Sequence, residues 1–278
     1  MHFALVAKTK AKKNSSIPAW VKYSLWSLLI LFVVAETYEN RRLFRKAYRY
    51  LTKSYYKKNF KPTDFPEDYS IHGIDISHYQ LFVDWDKLKA VSTDGDTIHF
   101  KFVIVKATEG LLIEDDMFDE HWDNAGENGF VRGAYHYFLP DRNAKVQATN
   151  FITSVRLSPG DIPPIIDIED TRGKTKAEIV AALKDFITEV ESHYKVKPII
   201  YSNINFIEEY LADNFSDYNF WIAHYYRDDL SVEDKLKWVF WQHSDKANLL
   251  GMRSNVDANV FNGDEDDFRK LLIPVKVN

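Results

Sequence analysis

The sequence predicts an α/β fold: an irregular (β/α) barrel, preceded by an N-terminal helix that serves as a transmembrane anchor or a signal segment. Three observations lead there. From Ile71 onward, strand-like and helix-like runs alternate over roughly 205 residues. About eight strand-like runs share that length, which favours a compact barrel over a broad open sheet. Ile17 to Ala35 is apolar apart from Lys22, Ser24 and Ser27, the pattern of a membrane-directed segment.

Residues 1–16 form a short polar tail carrying Lys8, Lys10, Lys12 and Lys13. As a helix, residues 17–35 extend about 28 Å, enough to cross a bilayer core. Trp20, Tyr23 and Trp26 suit an interfacial belt, and Lys22 lies near one end, where its stem can snorkel. An uncleaved anchor is the preferred reading. A cleaved signal peptide is the alternative, with Val33-Val34-Ala35 as small residues at a cleavage position. Arg41, Arg42, Arg45, Lys46 and Arg49 follow the span, so basic residues flank both sides and charge alone does not orient it.

Residues 36–68 read as a basic juxtamembrane helix and linker. Leu43, Phe44, Ala47, Tyr48, Leu51 and Tyr55 recur at helical spacing, and Pro62 and Pro66 then break the pattern. Such a helix lies on anionic lipid or wall polymer, or stands as a solvated stalk; directly after a span, nucleic acid is the poorer partner. The folded domain is 69–278.

Charge divides the chain in the same way. Residues 1–60 hold thirteen basic and two acidic residues, net +11, and the remainder holds 23 and 39, net −16. The absence of cysteine excludes disulfides, thiolate metal sites and cysteine nucleophiles. Nine histidines are scattered without ligand spacing, so no metal is assigned. No G-x-G-x-x-G or G-x-x-x-x-G-K-[ST] run occurs, and no cofactor is assigned.

The strand-like runs are Ile71–Ser77, Phe100–Thr108, Gly129–Phe138, Pro163–Glu169, Pro198–Ser202, Phe220–Tyr225, Trp238–Gln242 and Val256–Phe261. Helical stretches intervene at 84–91, 116–128, 143–155, 174–194, 204–213 and 265–272. The longest carries Ile179, Leu183, Phe186, Ile187 and Val190 on one side. This alternation calls for a mostly parallel sheet with chemistry at the strands' C-terminal ends.

The chemistry centres on Pro163-Pro164-Ile165-Ile166-Asp167-Ile168-Glu169-Asp170. Asp167 and Glu169 are two apart, so their side chains leave one strand on the same face. Two carboxylates converging on a pocket are what glycosidic cleavage needs, one to give a proton and one to stabilise or attack the sugar cation. The plain alternative is a strand running out into an acidic loop. Further acids and aromatics recur at other strand ends: Asp75 in Gly73–His78, Tyr135 in Gly133–Phe138, Tyr201 in Ile200–Asn203, Trp241 beside Gln242, and Asp257 in Asn255–Asn259. Singly, each acid also fits a helix cap or an Asx turn. Together they suit a barrel active site.

The motifs GIDISHYQ (73–80), VDWDKL (83–88), FVIVKATEG (102–110), GAYHYF (133–138), PPIIDIE (163–169), IIYSN (199–203), FWIAHY (220–225), WVFWQHS (238–244) and NVDANVFNG (255–263) resemble, in order, the glycoside hydrolase family 25 muramidases, or Chalaropsis-type lysozymes. The resemblance covers residues 71–275 and leaves 1–68 outside. It implies an incomplete, TIM-like β/α barrel that cleaves the β-1,4 bond between N-acetylmuramic acid and N-acetylglucosamine in peptidoglycan glycan strands. It also implies four acidic site residues, Asp75, Asp167, Glu169 and Asp257. Asp170 and Arg253-Ser254 depart from the family pattern at the rim of the cleft.

On this reading Glu169 is the general acid and Asp167 either the nucleophile or the helper of the substrate's own 2-acetamido group, with retention. Parallel side chains on one strand favour the helper. Asp75 and Asp257 position the sugar or tune the pair, and Tyr135, Tyr201 and Trp241 stack on sugars or pack the core. Such an enzyme works in the cell envelope with its catalytic domain outside the cytoplasm, anchored or secreted. Two other readings stay open: a catalytically silent wall-binding module, and a chitinase-type glycosidase, although the D-x-x-D-x-D-x-E run is absent. Oligomeric state is not encoded in any visible pattern.

Overall fold

The computed structural model describes residues 65–92, 97–225, 229, 230, 232 and 236–275. The basic tail, the 17–35 segment and the juxtamembrane helix expected from the sequence lie outside them. Among the described residues no helix is long and apolar enough to cross a membrane.

The chain order is β1 (His72–Ile76), α1 (Trp85–Leu88), β2 (Ala90–Ser92), β3 (Thr97–Glu109), β4 (Ile113–Glu114), α2 (Phe118–Glu127), β5 (Val131–Tyr137), α3 (Ala144–Ser154), β6 (Ile165–Asp167), α4 (Lys176–Tyr194), β7 (Ile199–Asn203), α5 (Ile204–Phe206), β8 (Asn219–Ala223), β9 (Trp238–Ala247), β10 (Val256–Phe261) and α6 (Glu265–Leu271). A single π-helical turn, Ile207–Leu211, continues α5. The strands run β1-β10-β9-β8-β7-β6-β5-β3 around a ring, and a parallel β1–β3 pair closes it. β2 and β4 pair with the two ends of the long β3 and stand outside the ring.

Within the ring, one strand departs from the parallel order of the expected, mostly parallel sheet. β10 is antiparallel to both its neighbours, β1 and β9. The cause is the connection: a parallel return needs a crossover of a dozen or more residues, and only the short segment 248–255 joins β9 to β10. The direction matters for the site, because it brings the start of β10, not its end, to the mouth where the parallel strands finish.

Two-residue alternation sorts the strands' side chains into two cores. Phe102, Ile104, Ile165, Ile199, Trp221, Phe240 and Phe261 fill the barrel. Ile74, Ile76, Val103, Val105, Ile166 and Ile168 point outward into the core shared with the helices. α4 buries the stripe read from the sequence, Ile179, Leu183, Phe186, Ile187 and Val190. A capping box of Thr175 and Glu178 starts α4, satisfying backbone donors that the first turn leaves open. Phe65 packs against His72 and His243, and Tyr69 against Trp241, so the packed body reaches back to Phe65.

α6 seals one end of the ring. Phe268 lies 5.0 Å from Phe261 and 5.8 Å from Phe102, ring centre to ring centre, and fills the end where the parallel strands begin. Only the opposite end is left for chemistry. Close packing at the sealed end explains Gly73, where a Cβ would meet the Phe102 ring at 2.3 Å. Gly73→Ala is therefore expected to destabilise the fold by about 1–3 kcal/mol, as overpacked cores do. A thermal or urea unfolding midpoint equal to that of the parent protein would refute this.

Candidate active site

Asp75 and Asp257 are directly opposed across the β1–β10 ladder, so both carboxyls enter the barrel at its open mouth. The Asp75 carboxylate is buried and bonded from two sides. Its Oδ2 accepts from Gln242 Nε2 at 2.8 Å and from Asn259 Nδ2 at 2.7 Å. Gln242 Nε2 also lies 3.3 Å from Asp257 Oδ2. The Gln242 carbonyl oxygen is held by the hydroxyls of Tyr201 and Tyr225, each at 2.7 Å. Trp221 Nε1 donates to Asn259 Oδ1 at 2.8 Å, which turns the Asn259 amide toward Asp75. A buried charge is tolerated when it is hydrogen-bonded in this way.

Burial raises both acids of this pair. Asp75 is pushed up to about 6, against the pull of its Asn259 and Gln242 hydrogen bonds. Asp257 is pushed up to about 9, first by burial and then by the neighbouring Asp75 charge. The pair thus keeps a proton near neutrality, on Asp257, which hydrogen-bonds to ionised Asp75.

Asp167 ends β6 facing inward, while Ile166 and Ile168 join the outer core. Glu169 lies two residues on, past the last ladder pair, and is exposed at the mouth. Burial, then the Glu169 charge, holds Asp167 well above the usual carboxylate range. Glu169 is also raised, by desolvation, while a hydrogen bond to Asp167 and the Lys106 charge oppose the shift. The two carboxyls are therefore within hydrogen-bonding reach, with the deeper Asp167 favoured as the proton holder. Asp167 Oδ1 is buried and has no hydrogen-bond partner.

Of the aromatic candidates, Tyr135 and Tyr201 line the interior. Tyr135 is only partly buried, whereas Tyr201 is buried beneath the acids, its ring 4.4 Å from Trp221. Trp241 does not join them. It is fully buried in the outer core, with Nε1 bonded to the His224 carbonyl. The expectation for Trp241 fails because side chains alternate along β9, and inward-facing Gln242 forces its neighbour outward.

Sequence reasoning assigned no role to Gln242, Asn259, Trp221, Tyr225 or Lys106. Asn259 had a signal, since it lies two residues after Asp257 and shares its face. Lys106 is anchored by Glu109 Oε2 at 2.6 Å and sits over the Tyr137 ring at 5.2 Å. Its charge lowers the pKa of both Asp167 and Glu169. Of the rim departures, Arg253 stacks on Phe82 at 3.8 Å and Asp170 accepts from the Arg172 N–H at 2.8 Å.

Two outcomes are expected. An acid whose pKa is raised in the fold stabilises it fully below the ordinary 3.8 and loses that contribution as pH rises toward about 9 for Asp257. Asp257→Asn should therefore gain stability relative to the parent protein as pH rises from 4 to 9 in denaturant titrations; a constant difference would overturn the assignment. Lys106→Met should move the alkaline limb of the activity–pH profile upward, because both acids lose a charge that favours ionisation. A limb that stays or moves down would exclude that influence.

Comparison with known proteins agrees with this geometry. The family model described as Glycosyl hydrolases family 25 matches residues 74–252. The uncharacterized protein YegX of Escherichia coli (strain K12) is 41% identical over 214 residues, 76% of either chain. Lysozyme M1 of Streptomyces globisporus is 26% identical over 213 residues, 71% of this chain and 70% of that one. A family 25 glycosyl hydrolase structure from Bacillus anthracis superposes with a TM-score of 0.68 at 29% identity, covering 77% of this chain and 98% of its own. With four carboxyls gathered at the one open mouth of a closed eight-strand ring, this chain belongs to glycosyl hydrolases family 25.

Proposed function

We propose that this protein is a muramidase that hydrolyses the β-1,4 bond between N-acetylmuramic acid and N-acetylglucosamine in peptidoglycan. Family membership supports the glycosidase, and relatives bearing the names lysozyme and N,O-diacetylmuramidase support the substrate. The observation that carries the mechanism is the Asp167–Glu169 pair, within hydrogen-bonding reach of one another and with Asp167 Oδ1 unpartnered.

Carboxyls that close are nearer than the 5–5.5 Å of an acid and nucleophile flanking a sugar. Both therefore act from one side of the scissile bond. The substrate's 2-acetamido oxygen attacks C1 while the C1–O4 bond breaks and Glu169 protonates the leaving O4. Asp167 accepts the acetamido N–H through its free Oδ1 and steadies the developing positive charge. As the amide arrives, the proton held by Asp167 passes along the existing hydrogen bond to Glu169. Water, giving its proton to Glu169, then opens the cyclic intermediate at C1, and two inversions make retention. Asp75, bonded to Gln242 and Asn259, and Asp257, whose proton is engaged by Asp75, present acceptor oxygens to the sugar.

The site of action follows from the substrate. The apolar segment 17–35 holds the catalytic domain outside the cytoplasm as an anchor, or delivers it there as a signal. Determining the N-terminal residue of the mature protein distinguishes these, and a catalytic domain recovered in the cytoplasm, unattached to membrane, would refute both.

Glu169→Gln should lower the release of reducing ends from purified sacculi by about a hundred- to ten-thousandfold. Unchanged release would remove Glu169 from its role, and no release by the unmutated protein would favour a silent wall-binding module. Chitin oligomers cleaved in preference to sacculi would favour the chitinase-type reading. Proton NMR of the first product should show the β anomer, and an initial α product would exclude retention.

A further inference from the structure

The loop after β1 carries a feature the catalytic site does not use. Tyr79 is 74% exposed, an unusual position for a large aromatic ring. It is also held still. Gln80 N–H donates to the Ser77 carbonyl at 3.0 Å, and the Gln80 side chain accepts from Ser77 N–H at 3.0 Å, so residues 77–80 form a closed turn. The Tyr79 ring stacks on His78, with centroids 4.1 Å apart and planes at 37°.

His78 is in turn fixed. Asp115 Oδ2 accepts from its backbone N–H at 3.0 Å and meets its Nδ1 at 2.6 Å. The other oxygen of that fully buried carboxylate accepts from Met117 N–H at 2.9 Å, so the anchor is part of the framework. On its far side the turn is pinned by Gln80 Nε2, which donates to the Asn255 carbonyl at 3.1 Å. Asn255 leads directly to Asp257, and the turn follows directly from Asp75. Four residues reach at most about 14 Å, so Tyr79 stands on the rim of the mouth beside the Asp75–Asp257 pair.

A large ring that meets His78 on one side and is otherwise left to solvent gains little for the fold from its place, and the cost of ordering it points to a ligand face. We propose that the turn 77–80 is an outlying sugar subsite, with Tyr79 stacking on a pyranose ring of an amino-sugar polysaccharide away from the bond being cleaved. The inference rests on the muramidase reading for the polymer's identity. Tyr79 acts as the platform, and His78 with Asp115 positions it. A pyranose presents an apolar C–H face and an equatorial polar edge, which suits a flat ring on an open rim better than an enclosed apolar pocket would.

The test uses the full chain carrying Glu169→Gln, so that ligands are bound and not consumed. Calorimetric affinities are measured for soluble peptidoglycan glycan fragments from two to eight sugars. Tyr79→Ala should weaken the longest fragments roughly tenfold, the worth of one aromatic stack, while sparing the shortest. Tyr79→Trp should restore the long-fragment affinity, and His78→Ala should weaken it with the Tyr79 ring still present. Equal loss at every length, or no loss, overturns the subsite. If no fragment binds even with Tyr79 intact, the muramidase reading itself fails, a result distinct from binding that ignores Tyr79. Equal unfolding midpoints of the variants separate these losses from misfolding.

Discussion

One buried carboxylate organises this barrel's open end. Asp75 lies among apolar strands and remains usable only because Gln242 and Asn259 both donate to it. Those donors sit on β9 and β10, and Trp221 on β8 orients one of them. A requirement of a single charge thus joins β1, β8, β9 and β10. Removing either amide would leave a buried ion short of a partner, a far larger penalty than one lost hydrogen bond in solvent.

The same region explains what could and could not be read from the chain. Asp167 and Glu169 were visible because period-two spacing is a local property, and Ile166 and Ile168 had to face the helices. Asp75 was visible for the same reason. The direction of β10 was not, because it depends on a connection too short to cross over. Trp241 misled because a tryptophan next to a strand end looks like a sugar platform, yet which residue of a Trp-Gln pair faces inward is set by ladder register. Gln242 and Asn259 escaped notice since neutral amides carry no charge signal. Their role exists only once Asp75 is placed between them. β2 escaped as well, although Asp94-Gly95 is a strong hairpin signal that the helical pattern of 84–91 obscured.

The site's electrostatics follow from geometry more than from composition. Four carboxyls share a mouth with Lys106, and burial together with the neighbouring charge keeps protons on Asp167 and Asp257. Two adjacent pairs therefore each resolve into a proton holder and an acceptor. Environments that separate like groups in this way are how one chemical type fills acid and helper roles together. The exposed member, Glu169, is the one open to solvent at the mouth. Lys106, itself anchored by Glu109, moderates the repulsion that would otherwise accompany ionisation of Asp167 and Glu169.

The antiparallel strand also bears on when this molecule becomes a catalyst. Asn259 and Asp75 are 184 residues apart in sequence, yet they share the hydrogen bond on which the mouth depends. Contacts of such separation form late, because a long loop must close before they return any stability. While the chain is being made, the first strand waits with its acid in water and at an ordinary proton affinity. Only the return of β10 excludes that water, so assembly of the ring acts as the timer on the chemistry.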